Sequence, residues 1–303
     1  MNIMTGGHAG RREFELRIGP MGDLTYRGLA KKRKLEENTM KYTKRAMLGA
    51  IAACVMFTAA PAYADLKFGV AAEPYAPFTS KDASGVWVGW EVDFMNALCA
   101  EIGEKCTIEE VAWDGIIPAL QAKKFDAIMS SMSVKPEREE VINFSSMYYN
   151  SAAVLIGPKD GDKDITPEHV SGKTVGVQVS TTHSSYIDKY YVPKGAIVKT
   201  YATQDEANND LAAGRLDYVM ADGVALDAFL ASEQGVSCCE LKGAVPLDEA
   251  VLGKGVGLGV RKEDTELLAK FNAGIKAMTD KDLFDPMTAK WKLEGKIIVP
   301  PNL

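Results

Sequence analysis

An α/β fold with largely parallel sheets is what this sequence predicts, on three observations. Short β-type runs alternate with helix-period patterns almost throughout residues 65–303. The runs stop at turns rich in Pro, Ser or Thr, where strand and helix are both broken. The helical tail has nowhere to pack except on the first block, so the chain must pass twice between two lobes, as in a clamshell.

The elements follow in order. Phe68 to Ala72 reads as the first strand, ended by Glu73-Pro74-Tyr75-Ala76-Pro77-Phe78. Val92, Met95, Leu98 and Ile102 hold helical spacing. A strand is expected near Cys106 to Val111 and a helix from Ile116 to Lys123, with Asp114 as its N-cap. Phe125 to Ser130 is a buried-strand run that stops in a serine-rich turn. The second block opens at Ala152 to Ile156, continues with a strand at Lys173 to Val179, and turns at Ser180-Thr181-Thr182-His183 into a helix. Leu216 to Ala221 is a further strand, ending at Asp222; Gly253 to Val260 is glycine-rich and extended; Leu267 to Met278 and Leu283 to Trp291 are the helical tail.

Residues 40–64 read as a secretory signal. Lys41, Lys44 and Arg45 precede an apolar run from Ala46 to Ala60, and Ala62 and Ala64 form an A-x-A cleavage site, so the working chain is expected to start at Asp65. The run is too short for a comfortable membrane span, and no later stretch reaches 18 apolar residues. Ile51-Ala52-Ala53-Cys54 also resembles a lipoprotein cleavage site, but the apolar run continues through Val55-Met56-Phe57, where lipoproteins turn polar. Residues 1–39 fit neither an export signal nor a fold pattern. They read as an extension from a start codon placed too early, and Glu36 to Met40 is what a purine-rich ribosome-binding site and its start codon would encode.

Charge then excludes one class of partner. Residues 1–64 hold 11 basic and 5 acidic residues, which leaves 24 basic and 36 acidic and a formal charge of −12 over the remaining 239. So acidic a body argues against nucleic acid. Serine-hydrolase, phosphate-loop and metal constellations are absent from the sequence, and only His169 and His183 remain beyond residue 64, so neither metal nor cofactor is expected.

An exported chain meets an oxidising compartment. Cys99 and Cys106 bracket a helix end, turn and strand start, which allows a bridge worth roughly 2.5 kcal/mol in the chain-entropy picture. Cys238 and Cys239 leave three states open: free thiols, a vicinal bridge, or an intermolecular bond.

Several stretches together resemble a known family. They are Tyr75-Ala-Pro-Phe, Gly89-Trp-Glu-Val-Asp-Phe, Trp113-Asp-Gly-Ile-Ile-Pro-Ala-Leu, the run from Lys124 to Arg138, Ala213-Gly-Arg-Leu-Asp and Gly259-Val-Arg-Lys-Glu-Asp. The chain resembles the periplasmic solute-binding proteins of polar amino acid ABC importers, the group that binds histidine, lysine/arginine/ornithine, octopine or nopaline. The resemblance spans nearly all of residues 65–303, and the cysteine pair seven residues apart matches the members that bind basic amino acids.

That resemblance implies a two-lobed, type II periplasmic-binding-protein-like fold, with residues 65–151 and 256–303 as lobe 1 and 152–255 as lobe 2. It implies a non-enzymatic receptor that closes on a free amino acid, making and breaking no bond, and hands it to a membrane permease with its ATPase. A monomer is expected. Arg138 would grip the ligand carboxylate with two parallel N–H bonds, near Ser130, Ser131 and Ser133. Thr181 and Thr182 would offer hydroxyls and helix N-terminal N–H groups, and Asp222 would hold the ammonium. Trp113 and Tyr75 would be the flat walls beside the ligand's side chain.

Taken without the resemblance, Arg138 beside Pro136, Glu137, Glu139 and Glu140 also fits a solvated charged helix, and Asp222 an ordinary turn. The segment before Tyr75 is one residue longer than in the histidine- and lysine-binding pattern, so the acidic partner of a cationic side chain is either Glu73 or lost, with Ala72 in its place. His183 stands where relatives have glutamine or histidine and bonds either backbone or ligand. Two rival functions share the fold: a cyclohexadienyl dehydratase-like enzyme, for which Glu73 is the one candidate acid, and a sensory receptor uncoupled from transport.

Overall fold

The structure, a computed structural model, describes residues 65–302. The expected extension 1–39, the signal at 40–64 and Cys54 lie outside the described residues. Strand β1 (Leu66–Ala71) leads through the hairpin β2 (Ser80–Lys81) and β3 (Trp87–Val88) into helix α1 (Trp90–Ile102). Then come β4 (Cys106–Val111), α2 (Ile116–Gln121), β5 (Ala127–Ile128), α3 (Pro136–Glu139) and β6 (Asn143–Phe144). After β7 (Asn150–Ser151) the chain enters a second sheet with β8 (Ala153–Pro158), β9 (Thr174–Gln178), α4 (Thr182–Tyr190), β10 (Ile197–Tyr201), α5 (Gln204–Ala212) and β11 (Tyr218–Asp222). Helices α6 (Gly223–Leu230) and α7 (Glu233–Cys238), strand β12 (Cys239–Ala244) and α8 (Glu249–Leu252) complete it. The chain returns through β13 (Gly259–Val260), α9 (Thr265–Asp280), α10 (Phe284–Lys290) and β14 (Ile297–Ile298).

Two five-stranded sheets result, in the orders β4-β1-β5-β13-β6 and β10-β9-β11-β8-β12. In the first, β4, β1 and β5 are parallel while β13 runs antiparallel to both β5 and β6. In the second, β10, β9 and β11 are parallel while β8 runs antiparallel to both β11 and β12. The expected parallel sense holds for four of the five strands in each sheet, and the one reversed strand lies next to an edge: β13 in the first sheet and β8 in the second. The reason is the double passage: a strand that arrives from the other sheet does not follow a crossover helix, and only crossover helices enforce parallel entry.

The tail helices pack on the first sheet's side. Phe271 and Phe284 are buried with Phe68, Phe94 and Leu98, and the rings of Phe68 and Phe271 lie 5.7 Å apart. Gly274 permits this approach, because a Cβ there would sit 2.5 Å from Leu98 Cδ1. The second sheet has its own cores on its two faces, one around Leu155, Val177, Ile187 and Met220, the other around Ile156, Leu211, Val219 and Leu226.

One local expectation is corrected. Asp114 lies inside the single 3-10 turn Trp113–Gly115, and Gly115 occupies the N-cap of α2 with no side-chain cap bond. The tight turn consumes the residue that would have capped a longer helix. Cys99 and Cys106 are bridged, and so are Cys238 and Cys239, which resolves the pair the sequence left open. Among the described residues no helix is long and apolar enough to cross a membrane.

Candidate functional site

The C-terminal ends of four parallel strands point at one cavity between the sheets: β1 and β5 from the first, β9 and β11 from the second. That is where open α/β sheets leave backbone groups free for a ligand. The empty space between the cavity's lining residues is about 550 Å3, with the open solvent at its mouth included. All eleven expected ligand residues line it: Glu73, Tyr75, Trp113, Ser130, Ser131, Ser133, Arg138, Thr181, Thr182, His183 and Asp222. Gln178, at the end of β9, and Gln204, at the start of α5, line it too and were not anticipated. A buried amide in a strand or in a helix's first turn carries no sequence signal, and only the pairing of β9 with β10 brings these two together.

Arg138 sits in α3 and is almost wholly buried. Its Nη1 donates to Ser133 O at 3.0 Å and its Nη2 to Ser180 O at 3.1 Å, so two neutral carbonyls orient the guanidinium, and among the described residues no carboxylate forms an ion pair with it. Burial lowers its pKa to about 10, against the opposing pull of Glu137 and Asp222. The Trp113 ring lies 5.4 Å from the guanidinium carbon. The indole N–H of Trp113 donates to Val179 O at 3.0 Å, tying the 3-10 turn to the opposite sheet.

Asp222 is the negative pole. Tyr75 Oη donates to its Oδ2 at 2.6 Å and Ser151 Oγ to its Oδ1 at 3.2 Å, and His183 Nε2 lies 3.6 Å from Oδ1. Burial alone would raise its carboxyl pKa, but His183 and the two hydroxyls outweigh it and hold the group below the usual carboxylate range. Asp222 therefore stays ionised at neutral pH. A second carboxylate, Glu73, accepts the Trp113 backbone N–H at 3.4 Å through Oε1, while its Oε2 is buried without a partner.

Two expected residues have their side chains engaged by the fold. Ser130 Oγ accepts from Ala71 N at 3.1 Å, closing the end of β1. Thr181 Oγ1 donates to Gln178 O at 2.7 Å and accepts from Ser184 N at 3.1 Å, making Thr181 the N-cap of α4. What remains at that helix end is backbone: the N–H groups of Thr182 and His183, in the first turn, where the helix field favours an anion. Ser131 turns with φ 50°, and both its N–H and its hydroxyl donate to Glu91. Among the described residues, no group of three or more His, Cys, Asp or Glu is placed to hold a metal ion.

A buried cation set between carbonyls, a buried anion across the cavity, and a second carboxylate with a free oxygen make a cavity for a charged small molecule. They do not make a nucleophile–base pair. Comparison with known proteins agrees. Residues 66–294 match the bacterial extracellular solute-binding proteins, family 3. The chain is 39% identical over 239 residues to the L-arginine-binding protein of Pseudomonas aeruginosa, covering 78% of this chain and 91% of that protein. It is 38% identical over 218 residues to the lysine/arginine/ornithine-binding periplasmic protein of Escherichia coli, covering 72% and 84%. An ancestral arginine-binding protein bound to arginine superposes with a TM-score of 0.68 at 30% identity, covering 75% of this chain and 97% of that one. These relatives are binding proteins, not enzymes, and share the two-lobed fold seen here. The chain belongs to the bacterial extracellular solute-binding proteins, family 3.

Proposed function

We propose that the protein is a periplasmic receptor for a free amino acid with a cationic side chain, arginine foremost, and that it delivers this ligand to the permease of an ABC importer powered by its ATPase. Charge complementarity carries the reading. The cavity offers one cation, Arg138, and two anions, Asp222 and Glu73; arginine carries one carboxylate, one ammonium and one guanidinium. Every buried charge then meets its opposite, which is the condition for enclosing ions without a penalty of several kcal/mol each. Arg138 takes the carboxylate together with the N–H groups at the start of α4, Asp222 takes the ammonium, and Glu73 takes the tip.

Two amides support a guanidinium over an ammonium at the tip. The N–H groups of Gln178 and Gln204 are used on Ala202 O and Asn208 Oδ1, both at 3.0 Å. Both residues line the same cavity as Glu73, their carbonyl oxygens remain as further acceptors, and a guanidinium supplies five donors where an ammonium supplies three. Trp113 and Tyr75 flank the aliphatic stem. In this reading residues 65–151 and 256–303 form one lobe and 152–255 the other, a monomer exported through a signal cleaved before Asp65, with hinges near 150–154 and 252–257.

The test is a thermal-shift and calorimetric screen of the purified protein against arginine, lysine, ornithine, citrulline, glutamine and histidine. Arginine at a thousandfold over its Kd is expected to stabilise the protein by about 4 kcal/mol. Arg138→Ala should abolish binding of every amino acid, and Trp113→Ala should reorder preferences among them. Absence of a shift with all six ligands, or equal and mild losses from both substitutions, would overturn the reading.

A further inference from the structure

Among the described residues Glu91 has no partner of opposite charge, and it does not line the cavity, yet it is fully buried and bonded to Ser131, which does. It lies in the first turn of α1. Its two oxygens accept the Ser131 N–H at 2.9 and 3.1 Å, Oε2 accepts the Ser131 hydroxyl at 3.1 Å, and Oε1 accepts the Tyr148 hydroxyl. Ser131 is the residue at positive φ in the Ser130–Ser133 turn that forms the cavity floor and hands its Ser133 carbonyl to Arg138. A left-handed serine persists only where its surroundings hold it there. Here the holder is one carboxylate.

We propose that Glu91 is a positioning residue for the ligand: as a carboxylate it locks the serine turn and the Arg138 contact in binding geometry, and taking up a proton releases them and weakens binding. This rests on the amino-acid-receptor reading above. An ionised carboxylate accepts all three donors; a protonated one keeps the Ser131 N–H but must itself donate to one of the two hydroxyls, Ser131 Oγ or Tyr148 Oη, which then has to turn its own hydrogen away from Glu91. The groups facing Glu91 are Tyr148, whose hydroxyl it accepts, Tyr75 and Tyr149, and the Asp222 carboxylate, with no cation among the described residues that offsets its burial. Burial raises its pKa to about 7, the Tyr148 and Ser131 bonds oppose that rise, and Asp222 adds to it. A ligand ammonium on Asp222 relieves this last repulsion, so binding favours the ionised form and expels a proton.

The signs are opposite for stability and for affinity. A raised carboxyl pKa means that the folded, ligand-free protein holds the proton more tightly than the unfolded chain, so this group's contribution to stability improves as pH falls through 7. Affinity moves the other way. If only the ionised form binds, a pKa of about 7 makes the arginine Kd roughly 30-fold weaker at pH 5.5 than at pH 8. Arginine's carboxylate and guanidinium keep their charges across that interval, and any loss of its α-ammonium toward pH 8 would weaken binding at the alkaline end, opposite to the slope that Glu91 gives.

The experiment is calorimetric titration of the protein with L-arginine from pH 5.5 to 8, in buffers of different ionisation enthalpy, beside melting curves of the ligand-free protein. Wild type should show the 30-fold change and release about half a proton per arginine at pH 7. Glu91→Gln, which keeps the shape and loses the charge, should bind weakly at every pH with a flat profile, while melting no lower than wild type at pH 8. His183→Gln should retain the slope. A flat wild-type profile, an unchanged slope in Glu91→Gln, or loss of the slope in His183→Gln would each overturn the proposal. Absence of arginine binding at every pH would instead overturn the receptor reading.

Discussion

Glu73 shows how a single residue can set the ligand class. Its Oε2 is buried without a hydrogen-bond partner, and a buried carboxylate oxygen left bare costs more than the bond it could make. The fold keeps it there because Oε1 is pinned by the Trp113 backbone N–H. A cationic tip would satisfy it. Glu73→Gln should therefore weaken arginine by about 10- to 100-fold, the worth of a charge-assisted bond, and weaken the neutral isostere citrulline far less. Competition calorimetry with the two ligands measures the ratio; equal losses would remove Glu73 from the tip. The sequence pointed to Glu73 and left Ala72 as the rival, because an extra residue before Tyr75 hid the register. Ala72 is exposed and Glu73 lines the cavity. Arg138 and Asp222 were easier to read, since each follows a strand of unmistakable pattern. Ser130 and Thr181 line the cavity, but their side chains spend their hydrogen bonds inside the fold, which residue type alone does not reveal.

At the scale of elements, strands and helices were legible wherever apolar period and punctuation agreed: β1, α1, β4, β8, β9 and β11 stand within a few residues of their expected positions. Strand direction was not. The antiparallel entries of β8 and β13 depend on partners 60 or more positions apart in the chain, and no local pattern encodes them. The helix that matters most to the cavity is α4, whose N-cap Thr181 both ends β9's turn and aims the first N–H groups inward. Thr181→Ala should cost about 1 kcal/mol of stability and also weaken arginine several-fold, because the freed helix end loses its aim. Ser232, the N-cap of α7, accepts from Gly235 N and lies outside the cavity. Ser232→Ala should lower the melting temperature comparably and leave the arginine Kd unchanged. Chemical denaturation with parallel calorimetry separates the two, and equal affinity effects would deny α4 its role.

For the whole molecule the question is what couples the two sheets. Among the hydrogen bonds that cross the cleft are Tyr75 to Asp222, Trp113 to Val179 O, Arg138 to Ser180 O, and Lys135 to Ser185 Oγ at 3.3 Å. Three of these four come from residues that also line the cavity, so in the proposed reading a ligand bound there would share its partners with the closed arrangement, and binding and closure would be one equilibrium. The returning passage controls that equilibrium from behind. Val256 bridges both Ser133 and Tyr149, and the backbone of Gly255 and Lys254 pairs with Val134, so the strap is laced to the same serine turn that Glu91 holds. Gly253 opens the strap at φ 87°, ψ 171°, a conformation reserved almost wholly for glycine. A Cβ there would meet Val134 O at 2.7 Å and Ser133 Cβ at 2.9 Å. Gly253→Ala should thus disfavour closure by about 1–3 kcal/mol, which appears as an arginine affinity lower by about tenfold or more. Small-angle scattering with and without saturating arginine should show compaction of the wild type and a smaller or absent change in the variant at equal arginine concentration. Identical compaction at identical affinity would mean that the strap only connects the lobes, and that the cavity residues alone decide when they close.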